Sequence, residues 1–360
     1  MITTANTRRA RLTALAGAAL LALSLGVSNV AYTQPRAAAP ATAATAPISK
    51  GQKIVMATHS FNVFVGPARA PTPAAANTAA GVTPTANTAP PQMTPGPLAA
   101  LAAERGKIGH ETLAVQMIGG STPMQHWKQG DGDDAKNIAK AALVKGGPAV
   151  DVFTMSPNAI MPEPGIDLFG DFVIKTNPNA RIMVQNSWSS WDGTGTTPAV
   201  GGSGNAAFQA IDHNKATAAD LDKWLAALDQ KPDGYLIKLR TQLDGINKRA
   251  GHQIAYVVPS ATAVYNLRKE IIAGRVPGVK TQAEIFRDGI GHPQQPLANV
   301  VTYVWYAAMY RESPVGLQAL VKKDDPTSAA REKLLQQIAW NAVVAEPMSG
   351  VRGAPVKLGS

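Results

Sequence analysis

The sequence predicts an α/β protein, a three-layer α/β/α sandwich built on a parallel five-stranded sheet. Two observations carry this. Five short apolar runs alternate with helical stretches, and each run is apolar nearly throughout rather than at every second residue. A strand that is apolar on both faces is covered on both faces, which is the condition of a parallel sheet with helices on either side. A third observation sets the class: 45% of the residues are hydrophobic and 16% charged, which excludes a wholly disordered chain and a long charged coiled coil.

The elements follow in order. Lys53 to Ala57 reads as the first strand, and Leu98 to Arg105 as a helix stopped at Gly106. Thr112 to Ile118 is the second strand, ending in Gly119-Gly120, and Asp134 to Lys145 a helix ending in Gly146-Gly147. Ala149 to Met155 is the third strand, Ile166 to Thr176 a helix, and Arg181 to Gln185 the fourth strand. Ala218 to Ala250 forms one or two helices broken near Pro232, and Gln253 to Val258 is the fifth strand. Helices close the chain at Ala261 to Ala273, Pro296 to Met309 and Ser328 to Val344.

Outside this series the composition changes. Residues 1–33 read as an export signal: Arg8, Arg9 and Arg11, with no acidic neighbour, precede an apolar run from Leu12 to Val27 and then small residues suited to cleavage. That run is short for a membrane span of ~20 residues, and no cysteine follows it to take a lipid, so no stable membrane anchor is expected. Both general and twin-arginine export fit. Residues 34–50 read as a low-complexity linker, and 67–97, rich in Ala, Pro and Thr with Arg69 as its sole charge, as an insertion that cannot bury a core. The folded unit is expected over 51–345, with 346–360 a C-terminal tail. The mature protein is therefore predicted to be periplasmic or secreted.

Charge and cysteine count bound the chemistry. The whole chain carries a formal +10; without residues 1–33 it keeps 31 basic against 24 acidic groups, a formal +7. No Lys/Arg block or aromatic-interleaved basic stripe marks a nucleic-acid face, so no nucleic-acid partner is expected. With no cysteine there is no disulfide, no thiolate nucleophile and no Cys-ligated metal. His110, His126, His213 and His252 are scattered without metal-ligand spacing. Asp131, Asp133 and Asp134 hint at calcium but lack the glycine and closing glutamate of an EF-hand, and read better as a solvated helix start. The Gly201 to Gly204 run has no preceding strand and reads as loop. No metal or cofactor is expected.

In a parallel sheet, ligands gather at the carboxyl ends of the strands, so the residues after each strand decide the chemistry. His59-Ser60-Phe61-Asn62 follows the first strand, Gly119-Gly120-Ser121 the second, and Ser156-Pro157-Asn158 the third. Asp288 to Pro293 precedes the Pro296 helix. Together they offer a hydroxyl, backbone N–H groups, an amide donor, a carboxylate and an imidazole, the parts that acyl transfer needs. Taken singly, Ser60 could be a turn or cap residue, the glycines a strand-exit turn, Asn158 a helix cap, and Asp288 and His292 members of a solvated loop.

The order of these segments resembles the SGNH (GDSL-like) hydrolase family over Gly51 to about Val344, the insertion apart. The resemblance implies the three-layer, flavodoxin-like arrangement and a serine esterase working without a cofactor. It implies that Ser60 is the nucleophile and gives its N–H to the oxyanion hole, shared with Gly119 or Gly120 and with the Asn158 amide. His292 would be the base and Asp288 its orienting acid, with Glu284 in reserve. His59, Gln185 and Trp188 are candidate substrate contacts. Trp188 and Trp191 could stack a sugar ring or simply pack beneath a long loop. The expected substrate is a small-molecule or carbohydrate ester. The alternative is a non-catalytic exported glycan-binding protein on the same fold. A two-lobed solute-binding protein is disfavoured by the single strand-helix series.

Overall fold

The computed structural model describes residues 46–62, 96–144, 149–158, 161–193 and 211–359. The predicted export signal, most of the linker, nearly all of the insertion 67–97 and the glycine run at 201–204 lie outside them.

Five strands, β1 (Lys53–Thr58), β2 (Glu111–Met117), β3 (Val152–Met155), β4 (Arg181–Gln185) and β5 (Ala255–Val258), form one sheet in the order β2-β1-β3-β4-β5. Every neighbouring pair is parallel. The expected α/β sandwich is present. Side chains alternate between two cores: Ile54 and Met56 of β1 point to one, Val55 and Ala57 to the other. The first core is closed by α1 (Pro97–Glu104), α5 (Ala218–Leu228), α7 (Ser260–Ile272), α8 (Gln295–Tyr310) and α9 (Ser328–Ala345). The second is closed by α3 (Ile138–Val144), α4 (Pro164–Thr176) and α6 (Tyr235–Ala250). Among the described residues no helix is long and apolar enough to cross a membrane.

Local chemistry sets the element ends. Glu163 caps α4 by accepting from the Ile166 N–H, with Pro164 at the first helical position. Thr217 and Asp220 make a capping box on α5, and α6 stops at Gly251 in the left-handed region (φ 76°). Two helices depart from expectation. A short α2 (Pro123–Trp127) was not expected; the Thr122–Gln125 capping box that opens it is visible in the sequence, but five residues are too few to show a period. The helix expected from Asp134 begins instead at Ile138, because Gly130, Asp131 and Gly132 all take positive φ and the Asn137 side chain accepts the Lys140 N–H as a cap. After α9 the chain packs back: the Met348 carbonyl accepts the Val257 N–H along the open edge of β5, and Asn341 pairs with Val356.

Two crossovers of this sheet diverge at β1, which pairs with β2 on one side and β3 on the other. Such a switch point opens a crevice at the carboxyl ends of β1 and β3. Ser60 leaves one strand there and Ser156 to Asn158 leave the other.

Candidate active site

Ser60 sits in a turn closed by the Asn62 N–H donating to the His59 carbonyl at 3.0 Å. The turn is tied down on each side. Asn62 Nδ2 donates to Ser156 Oγ at 3.2 Å, which anchors it to the exit of β3, and Gln185 Nε2 donates to the Phe61 carbonyl at 3.2 Å. Phe61 stacks on Trp188 with centroids 4.6 Å apart and sets its edge against the His292 ring. The Trp188 indole N–H in turn donates to the Gly291 carbonyl at 2.9 Å. The turn that carries Ser60 and the loop that carries His292 are thus held by one aromatic pair.

Ser60 Oγ lies 2.8 Å from His292 Nε2, and His292 Nδ1 lies 2.7 Å from Asp288 Oδ2. An ionised carboxylate can only accept, so the ring proton belongs on Nδ1 and the Nε2 lone pair faces the serine hydroxyl. The hydroxyl then donates to the imidazole, the direction that a base needs. Asp288 Oδ1 accepts the N–H groups of Gly291 (3.2 Å) and His292 (3.1 Å). Burial acts to raise the Asp288 carboxyl, but the hydrogen bond and charge of His292, helped by Arg287, outweigh it and hold the group below its ordinary value.

The loop has room for three residues between acid and base because it is closed on itself. Arg287 N–H donates to the His292 carbonyl, Gln294 N–H to the Ile285 carbonyl, and Phe286 bridges Pro293. Gly291 takes φ 99°, a conformation that a side chain would strain, and that turn brings His292 back over Asp288. Glu284, held in reserve as the acid, is exposed and spends its carboxylate on the Thr281 capping box.

The remaining site residues separate into three groups. Among the described residues nothing accepts the backbone N–H of Ser60, Gly119 or Gly120, so these donors remain available. Asn158 Nδ2 donates to the Gly120 carbonyl at 3.1 Å, drawing the exits of β2 and β3 together. His59 is buried, and its Nδ1 accepts the Phe61 N–H, which puts the proton on Nε2. Burial pushes His59 down to about 4, and His292 nearby adds to this against the Pro157 backbone.

Gln185 and Trp188, expected as candidate substrate contacts, are buried beneath the Ser60 turn. Gln185 is 0% exposed, bonded to Phe61, Ser187 and the Trp305 indole; Trp188 is 3% exposed and its ring is covered by Phe61. They support the turn from beneath, and His59 is buried beside them at 5% exposed.

A second Ser–His pair went unremarked in the sequence. Ser121 Oγ lies 2.7 Å from His126 Nε2, but it donates to the Ile118 carbonyl and must therefore accept from the ring, while Gln116 Nε2 faces His126 Nδ1. Both residues are fully buried, so the pair is a strut at the exit of β2. Also missed was a group behind Asp288, where His213 Nε2 donates to the Asp288 carbonyl at 2.9 Å. Its one sequence signal is Arg268, a cation at helical spacing from Val264 and Ile271 on the apolar face of α7. Among the described residues no group of three or more His, Asp or Glu side chains is placed to hold a metal ion.

No family model matches the chain, and no curated protein matches it. Among solved structures, a DUF4886 family protein from Bacteroides uniformis aligns with 82% of this chain and 95% of its own, at 12% identity and a TM-score of 0.41. A "putative GDSL-like lipase" from Parabacteroides merdae aligns with 72% of this chain and 95% of its own, at 10% identity and a TM-score of 0.36. Neither score reaches 0.5, so the fold assignment stands on strand order and core alone.

Proposed function

We propose that this chain is a serine hydrolase that cleaves small carboxylic esters. The observation that carries the reading is the unbroken relay from Ser60 Oγ through His292 to Asp288, placed at the switch point of the sheet. In this reading His292 Nε2 takes the Ser60 proton as Oγ attacks the ester carbonyl carbon. The oxygen that becomes negative is met by the Ser60 N–H, the free N–H of Gly119 or Gly120, and the Asn158 amide once it releases the Gly120 carbonyl. Collapse expels the alcohol, which takes the proton back from His292, and water repeats the sequence to free the acid. Asp288 keeps the imidazole in its required tautomer throughout.

The expectation of a carbohydrate alcohol rests on export and on Trp188 and Trp191 as platforms, of which Trp188 is buried and Trp191 half-buried. What remains supports an acyl ester without specifying the alcohol. The arginine-led apolar segment at residues 1–33 supports action after export. Hydrolysis of p-nitrophenyl acetate and butyrate, followed in cell fractions and with the pure protein, tests both parts. Activity should appear outside the cytoplasm and disappear in Ser60→Ala. A Ser60→Ala protein as active as wild type would refute the nucleophile, and a folded wild type without activity would favour the non-catalytic binding protein.

A further inference from the structure

We infer that His213 is a positioning residue that fixes the backbone of the loop carrying Asp288 and His292. This rests on the reading of Ser60, His292 and Asp288 given above. The catalytic acid has its side chain committed to His292, so the position of its carboxylate depends on what holds its own backbone. The Asp288 carbonyl is met from behind by His213 Nε2 at 2.9 Å, and a carbonyl can only accept, so that nitrogen carries a proton. His213 is 4% exposed, and its ring lies on Phe286 with centroids 4.0 Å apart, against the residue whose bridge to Pro293 closes the loop.

His213 is itself held through its backbone by Arg268. Its Nδ1 lies 3.1 Å from Asp192 Oδ2 without hydrogen-bonding to it, and Asp192 is gripped by both arms of the Arg268 guanidinium at 2.7 and 3.0 Å. Arg268 also donates to the His213 carbonyl at 3.0 Å and to Gln282 at 2.7 Å, and is 1% exposed. Asp192 takes φ 50° in the left-handed region, a conformation of a non-glycine residue that persists only where its surroundings impose it. A bidentate pair fixes direction as well as distance, which suits Arg268 and Asp192 to hold geometry here. The chain of hydrogen bonds runs from Arg268 to the His213 carbonyl and from the His213 ring to the Asp288 carbonyl, and the Asp288 carboxylate lies 2.7 Å from the imidazole that serves Ser60.

Three variants of the full chain separate positioning from simple support. His213→Leu removes the donor, His213→Gln restores an N–H in nearly the same place, and Ser60→Ala reports on the underlying reading. With p-nitrophenyl acetate, His213→Leu should lose on the order of tenfold or more in kcat with little change in KM, the cost of a slightly misplaced base, and His213→Gln should recover most of it. The proton shared by His292 Nδ1 and Asp288, followed by NMR, should shift or broaden in His213→Leu but persist in Ser60→Ala. Wild-type kcat and an unmoved proton in a folded His213→Leu would overturn the inference, even if its melting temperature fell. Should Ser60→Ala stay active, the triad reading fails and the NMR signal alone decides the role of His213. Should His213→Leu not fold, nitrogen shifts of the wild-type histidine decide: a protonated Nε2 on His213 supports the inference, and a bare one overturns it.

Discussion

At the scale of single residues, the hydrogen-bond directions around His292 assign unequal costs to the members of the relay. Among the described residues, loss of the imidazole removes the one group placed to take the Ser60 proton, whereas loss of Asp288 leaves a base free to adopt the wrong tautomer or pose. His292→Ala should therefore cost at least as much in kcat as Asp288→Ala, each by orders of magnitude, and Ser60→Ala combined with His292→Ala should be hardly slower than either alone. Steady-state kinetics of the four proteins check this, and multiplicative losses in the double variant would show independent action. That Ser60, His292 and Asp288 come together was legible in the sequence because they lie in segments that follow a strand or precede a helix. The roles of Gln185 and Trp188 were not legible. Burial beneath Phe61 is a product of tertiary packing, and a Trp after a strand looks the same in sequence whether it faces a ligand or the core. The network behind Asp288 was hidden for the same reason: Asp192, His213 and Arg268 are far apart in the chain and only folding brings them together.

At the scale of elements, strands were easier to read than short helices. β4 falls where the apolar run predicts it, and the other strands within a few residues, because a strand covered on both faces leaves a continuous signature. The α2 helix and the late start of α3 escaped because capping and positive-φ turns, not periodicity, define them. Packing between elements escaped as well. At Gly165, in the first turn of α4, a Cβ would lie 2.1 Å from the Met124 N and 2.3 Å from the Pro123 carbonyl carbon of α2. Backbone on both sides leaves nothing flexible to yield, so Gly165→Ala should be destabilising by about 1 to 3 kcal/mol or more, the range of overpacking. Urea denaturation would read this, and a midpoint equal to wild type would show that α2 moves aside freely.

At the scale of the whole molecule, three histidines make stability depend on pH. Burial lowers His59 and His110 from an ordinary 6.5 to about 4, and lowers His126 to about 3, with His59 adding to the last. The folded protein keeps them neutral while the unfolded chain protonates them, so the unfolded state binds more protons between about 6.5 and 4. Their contribution is complete above about 6.5 and is lost as pH falls through that window, each pKa unit being about 1.4 kcal/mol. The urea midpoint should drop steadily from pH 7 to pH 4.5, and less steeply in His126→Gln. A midpoint that stays level or rises on acidification would contradict neutral burial. Asp288 and Asp192, both held below the ordinary carboxylate value, add to the fall only below about pH 5, where the unfolded chain begins to protonate them, so the histidine part is read between pH 7 and 5.

The central claim is that one serine of this fold is activated as a nucleophile, and a fluorophosphonate probe tests it most directly. Activated Oγ attacks phosphorus and expels fluoride, leaving a covalent adduct that intact-mass and peptide mapping can locate. The account predicts a single adduct on Ser60, lost in His292→Ala, with Ser121 unlabelled because its hydroxyl already donates to the Ile118 carbonyl. No adduct on the folded protein, or an adduct on Ser121 in place of Ser60, would contradict it.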